Sequence, residues 1–116
     1  MDHYHVWCNL RPRVSDLEFC ERVDAYLGQL RRDGLIEGHR ISRRKLGLGP
    51  PALGEFHVAI EVRDLAQLER AFVSVSARGG TVEALHAAVN QLACDLCFAL
   101  YRDLPDAHRV RGEEKF

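Results

Sequence analysis

No stretch of this sequence approaches the roughly 18 consecutive apolar residues that a membrane-spanning helix requires. Its longest apolar stretches show instead the alternation of half-buried elements. The opening Met1-Asp2-His3-Tyr4-His5 lacks the basic, apolar and small-residue succession of a secretory leader. A cytoplasmic protein with no membrane partner is therefore expected. Neither sign of charge is in excess: 16 Lys and Arg stand against 17 Asp and Glu, a net charge of -1 that gives nucleic acid no electrostatic footing. The four cysteines supply no metal pattern, since Cys94-x-x-Cys97 has no second pair to complete a zinc ribbon. In a reducing compartment Cys8, Cys20, Cys94 and Cys97 read as free thiols packed like small hydrophobes. Repeats, low-complexity segments and linkers are missing too, and 116 residues leave room for one domain only.

What is present is a regular succession of periodic segments. His3 to Leu10 alternates two sets of side chains, as a strand with two unlike faces does. Ser15-Asp16-Leu17-Glu18 offers a capping box, and Leu17, Cys20, Val23, Leu27 and Leu30 follow as one helical stripe ended by Asp33-Gly34. A second strand spans residues 35–46 before Gly47-Leu48-Gly49-Pro50-Pro51 forces a loop. Phe56, Val58, Ile60 and Val62 alternate with His57, Ala59, Glu61 and Arg63 as the third strand. Asp64-Leu65-Ala66-Gln67 is another capping box, with Leu65, Leu68, Ala71, Phe72 and Val75 at helical spacing behind it. Thr81 is placed to cap a shorter helix, and Leu96 to Tyr101 alternate as the last strand. Residues 1–105 make the domain and 106–116 a polar tail.

The order β-α-β-β-α-(α)-β is that of the α+β ferredoxin-like fold, whose right-handed crossovers put both long helices on one face of an antiparallel sheet. Parity assigns Val6, Phe56, Val58, Ile60, Leu96, Phe98 and Leu100 to that face. The other face then collects His3, His5, Trp7, Asn9, His57, Glu61, Asp95 and Tyr101, together with Ala59 and Ala99. It is too apolar in part to be left bare, and a second copy of the chain packed against it would form a homodimeric α/β barrel.

The same face is where chemistry can reside. In this strand order His5 and His57 stand on neighbouring central strands, near enough to share a proton, a substrate or a metal. Histidine supplies a base near neutral pH, Glu61 or Asp95 can orient it, and Tyr101 adds a donor for a developing negative charge. His5, His57 and Tyr101 are the candidate catalytic residues; Trp7, Asn9, Arg40, Arg44, Glu61 and Asp95 are the candidate ligand contacts. His3 and His5 with His57 have a permissive spacing for three imidazole ligands, but no metal and no cofactor is required by the pattern. The run Arg40, Arg43, Arg44, Lys45 reads first as protection of a sheet edge and second as an anion site through Arg40 and Arg44. Cys97 shares the candidate face and reads as an inert thiol, and His86 as a surface or packing histidine.

Three segments, Tyr4-His5-Val6-Trp7-Cys8, the run from Arg43 to Pro50, and Gly54-Glu55-Phe56-His57-Val58, carry a resemblance. With them the chain resembles a bacterial family of unknown function within the dimeric α/β barrel superfamily. That superfamily includes cofactor-independent monooxygenases, muconolactone isomerase-like enzymes, haem-binding members and stress-responsive proteins, so the resemblance implies a dimer and a pocket without a substrate. Three functions follow as alternatives: a small cofactor-independent enzyme, a non-catalytic metabolite- or metal-binding module, and a structural dimerisation domain.

Overall fold

The computed structural model describes residues 1–77 and 79–113. Its elements are β1 (Asp2–Leu10), α1 (Asp16–Arg32), β2 (Gly38–Arg43), β3 (Phe56–Val62), α2 (Leu65–Ser76), α3 (Gly80–Asn90) and β4 (Ala93–Arg102). The four strands form one sheet in the order β2-β3-β1-β4, with every neighbouring pair antiparallel. This is the ferredoxin-like arrangement expected from the element order. Among the described residues no helix is long and apolar enough to cross a membrane. Residues 114–116 of the expected tail lie outside the described residues.

The helices cover one sheet face because each presents an apolar stripe to it. In α1 the buried side chains are Phe19, Val23, Leu27 and Leu30. Phe19 takes the place expected for Leu17, which is 70% exposed. Phe19 stands one turn before Val23 and so shares its face, whereas Leu17 in the first turn is rotated away. Phe19 meets Phe56 of β3 edge to face at 5.5 Å, joining helix and sheet at the centre of the core. The cap at Ser15 forms, its hydroxyl accepting from the Glu18 amide at 3.4 Å, but the Glu18 carboxylate turns forward to Arg22 at 2.6 Å instead of closing the box.

The second cap is more fully used. Asp64 accepts from the Gln67 amide at 2.9 Å. The Gln67 side chain, 1% exposed, accepts from the Arg63 amide at 2.7 Å and donates to the Gly34 carbonyl and the Glu37 carboxylate, both at 3.1 Å. A buried amide so satisfied ties the start of α2 to the turn after α1. α3 begins at Gly80 with Gly79 as its cap and no side-chain bond, so Thr81 is not the cap. Gly80 has a φ of +67°, a backbone state that glycine enters without the strain a β-carbon would bring.

Two strands depart from the expected limits. β2 is shorter than residues 35–46, because Leu46 (φ 57°) and Gly47 (φ 68°) turn the chain out of extended geometry. β4 runs in one register against β1 from Arg102 to Cys97, then slips so that Asn9 pairs with Cys94. The extra residue makes a β-bulge at Asp95, whose φ of 55° an aspartate tolerates better than most side chains. Of the cysteines only Cys8 is fully buried; Cys20, Cys94 and Cys97 are half-buried, and all four thiols are free.

Candidate functional site on the open sheet face

Register fixes what lies beside what on the face away from the helices. One row reads Gly38, Glu61, His3, Tyr101 across the sheet; the next Arg40, Ala59, His5, Ala99; the next Ser42, His57, Trp7, Cys97. His5 and His57 are thus diagonal neighbours on the two central strands, one of the two placements expected from the sequence. The structure closes the diagonal: His5 Nδ1 and His57 Nε2 are 2.8 Å apart, with rings within 11° of parallel.

That contact dictates protonation. One nitrogen must carry a hydrogen and the other must accept it, so the pair cannot be doubly protonated and keep its bond. Burial lowers the pKa of both imidazoles below 6.5, reinforced at His57 by charge on His5 and at His5 by charge on His3. The pair is therefore mainly neutral at physiological pH, with one outer nitrogen on each ring left for a further partner.

Aromatic side chains frame the pair. Trp7 lies over His57 with centroids 4.8 Å apart and beside His5 at 5.5 Å, and Tyr101 meets His5 edge to face at 5.2 Å. Tyr101 is 63% exposed. His3 is engaged on its other side: its Nε2 contacts Asp103 at 2.6 Å, and that hydrogen bond is the main reason the Asp103 carboxyl is held below its usual range. Among the described residues no three His, Cys, Asp or Glu side chains are grouped to hold a metal ion.

The remaining expected contacts divide. Arg40 and Glu61 are exposed on the face. Asn9 is engaged by the protein itself, donating to Asp95 at 3.2 Å while its carbonyl oxygen accepts from the Glu55 amide at 2.9 Å. Arg44 is turned into the loop that follows β2, donating to the carbonyls of Leu53 at 2.6 Å and Pro50 at 2.9 Å. A Cβ on Gly49 would meet the Arg44 guanidinium at 2.7 Å, so glycine there makes room for this staple. Beside the staple is a recess of about 230 Å³ lined by Trp7, Ser42, His57, Leu48, Pro50 and Leu53 among others. Gly54 closes its floor, since a Cβ there would overlap the Cys8 backbone at 2.3 to 2.8 Å.

Tyr4 and Tyr26, on the other side of the sheet, were not singled out from the sequence, whereas His86 was read as a surface or packing histidine. Tyr4, Tyr26 and His86 line an apolar cavity between sheet and helices, and Tyr26 and His86 bring their rings within 5.4 Å. Tyr4 and Tyr26 fall at the expected inward parity and helix face, so periodicity alone could have marked them, but only the tertiary position of α3 brings His86 there.

Comparison with known proteins gives the family and the fold. The model of a family of unknown function, DUF6614, matches residues 1–116, and the chain belongs to that family. No curated protein matches it. A crystal structure of a protein from Arabidopsis thaliana is similar at a TM-score of 0.69 and 7% identity, covering 89% of this chain and 95% of that one. A dimeric ferredoxin-like protein of unknown function from Bacteroides fragilis has a TM-score of 0.53 at 13% identity, covering 88% and 95%. Another, from Thermobifida fusca, has a TM-score of 0.53 at 12% identity, covering 86% and 88%. At these identities the likeness is one of fold.

Proposed function

We propose that this member of the DUF6614 family works as a homodimer joined through its open sheet face, and that it binds a small molecule there beside the neutral His5–His57 pair. The observation that carries this reading is the 2.8 Å contact between two imidazoles on the sheet face that, among the described residues, lies away from the helices. The dimeric state described for the Bacteroides and Thermobifida proteins of the same fold supports a second copy as the cover. The central row offers Ala59 and Ala99 beside His5, small residues that let an opposing sheet approach. The recess under the Arg44 loop, walled by Trp7 and His57, is a place on this face where a small ligand would fit.

Within that recess the pair acts as a proton acceptor with a relay. A proton taken up on the outer nitrogen of one ring is matched by movement of the hydrogen along the 2.8 Å bond and release from the outer nitrogen of the other. Tyr101, beside His5, is the donor nearest the far end of this path. Trp7 supplies the flat apolar wall on which a ring or a planar carbonyl compound would rest.

A second reading, a seam without a ligand, is favoured by one specific observation: Asn9 and Arg44 spend their side chains on the protein's own groups. Native mass spectrometry of the tag-free protein separates the two. A dimer that retains organic mass, and loses it on His57→Ala while staying dimeric, supports binding; a dimer without retained mass that dissociates on His57→Ala supports the seam. Ala59→Arg, which sets a second cation beside Arg40 in the central row, should give a folded monomer. A wild-type monomer at micromolar concentration would overturn both readings.

A further inference from the structure

Resting on the sheet-face reading above, we propose that the recess under the Arg44 loop selects a small planar anion: a one-ring carboxylate of the benzoate class, its ring on Trp7 and its carboxylate beside Arg44 and Ser42.

Charge sets the sign of the ligand. Arg43 and Glu55 both border the recess, but they are matched: Arg43 Nη2 stands 3.3 Å from Glu55 Oε1, and Arg43 Nη1 stands 3.1 Å from Asp16. Arg44 borders the same recess, half-buried, and has no such match. Among the described residues its side-chain partners are two backbone carbonyls, those of Pro50 and Leu53, and no carboxylate stands within ion-pair distance. Both bonds leave from one nitrogen, Nη2. Carbonyl dipoles hold the guanidinium in place without cancelling its charge, and the hydrogens of Nη1 stay available. The loop thus fixes Arg44, and Arg44 gives the lining its one unmatched charge. Because part of its hydration is already lost, an anion beside it is attracted more strongly than in open water.

Size and surface set the rest. The recess holds about 230 Å³, whereas drug-sized ligands occupy pockets of roughly 300 Å³ or more, so one ring with a short substituent fits it. Trp7, stacked on His57 at 4.8 Å, gives that ring a flat wall. Leu48 also lines the recess and is 77% exposed, an apolar side chain that a bound ring would draw out of water. Ser42, opposite His57 across the β2–β3 register, brings a hydroxyl that makes no bond to the protein among the described residues. One unmatched cation and one free hydroxyl on a lining that is otherwise aromatic and aliphatic suit a single carboxylate on a ring. A cationic ring would meet the Arg44 charge, and a neutral one would leave it unanswered.

The test is NMR titration of the tag-free full chain with benzoate, benzamide and benzylamine in turn, followed at the indole N–H of Trp7, the chain's single tryptophan, and at the His57 ring. Benzoate should shift both signals saturably, and benzamide, its neutral isostere, should bind at least about tenfold more weakly, with benzylamine weaker again. Benzamide or benzylamine bound as tightly as benzoate would overturn the anion while leaving a sheet-face ligand in place. Arg44→Met should erase the preference for benzoate over benzamide, and Arg44→Lys, which keeps the charge, should retain it; a preference that survives Arg44→Met would overturn the role of Arg44. Ser42→Ala lies outside the loop's own bonds and should weaken benzoate about threefold or more, so it tests the placement even where an Arg44 variant loses its loop. Unchanged benzoate affinity in Ser42→Ala would overturn that placement. No saturable shift with any of the three probes would overturn the proposal as a whole, whereas the sheet-face reading itself falls only if the native mass spectrum of the tag-free protein also shows no retained organic mass.

Discussion

The two faces of one sheet are built to opposite rules. Toward the helices, Phe56, Val58 and Val62 are buried against Phe19, Val23 and Leu27, and Gln67 there has every polar atom satisfied by the chain itself. Away from them, His5, Trp7 and His57 are only half-buried, their rings stack on one another, and His5 and His57 share one hydrogen bond. The first face is largely closed within one chain, although Phe72, Leu96 and Phe98 at its edge stay about half exposed. The second is complete only locally: its small, aromatic and imidazole side chains stay at least partly exposed, and it is the surface that the proposed dimer would cover. Substitutions on the first face should therefore be read out in folding, and on the second in assembly and protonation.

The largest expected effect is on the helix side. Phe19→Ala removes the ring that joins α1 to Phe56 at a site 1% exposed, and should cost about 3–5 kcal/mol in urea unfolding. A loss under about 1 kcal/mol would mean that the core is loose enough to collapse around the gap, and the contrast between the faces would fail. Next is Gly54→Ala. Its Cβ would stand 2.3 to 2.8 Å from backbone atoms of Cys8, which no rotamer can relieve, so about 1–3 kcal/mol should be lost through displacement of the loop from β1. Because Gly54 borders the recess beside His57, the variant should also shift the His57 ring resonances, whereas Phe19→Ala should not.

Those two positions show how much the sequence disclosed. Strand parity assigned the faces correctly over most of the sheet, because inward and outward side chains alternate whatever the partner strand is. Beside Asp95 a bulge inserts one residue and shifts the register, a feature that sequence alternation does not announce. Capping boxes located both long helices, but the stripe of α1 was misassigned at Leu17 because the first helical turn can offer an apolar side chain to water without penalty to the core. For the site, the diagonal His5–His57 contact was legible from strand order and parity. The role of Arg44 was not: the same basic run serves an edge, an anion or a loop, and only the positions of the Pro50 and Leu53 carbonyls decide for the loop. Gly49 and Gly54 were legible as punctuation, not as the close approaches they are.

A smaller effect probes the polar element of the buried face. Gln67→Met preserves length and apolar volume but leaves the Arg63 amide and the Gly34 carbonyl without their partner. Unpaired buried groups of this kind cost about 1–3 kcal/mol, and chevron analysis should show the loss. If Gln67→Met were neutral, the amide network would be replaceable by packing alone, and self-sufficiency of this face would rest on hydrophobic contact without it.

The smallest effect belongs to the open face and is one of pH. His5 and His57 have folded pKa values lowered from 6.5, by burial first and then by the charge of His3 on one and of His5 on the other. Below 6.5 the unfolded chain binds protons that the native pair refuses, so native stability should fall as pH drops through the window between 6.5 and the folded values, and level off beneath them. Asp103 acts in a different window: its folded pKa is lowered from 3.8 by the hydrogen bond from His3, and its contribution is lost only as pH falls below that value. Thermal unfolding of wild type between about pH 7.5 and 5 should slope downward, and the double variant His5→Gln, His57→Gln should flatten the slope. Parallel slopes would show that the imidazoles are solvated equally in both states, and that the face is not a burying one. The slope carries a further discriminant: if a second copy covers the face, each imidazole is drier in the dimer than in one chain alone, so the pH dependence should steepen as protein concentration rises, while a face left to solvent would give one slope at every concentration.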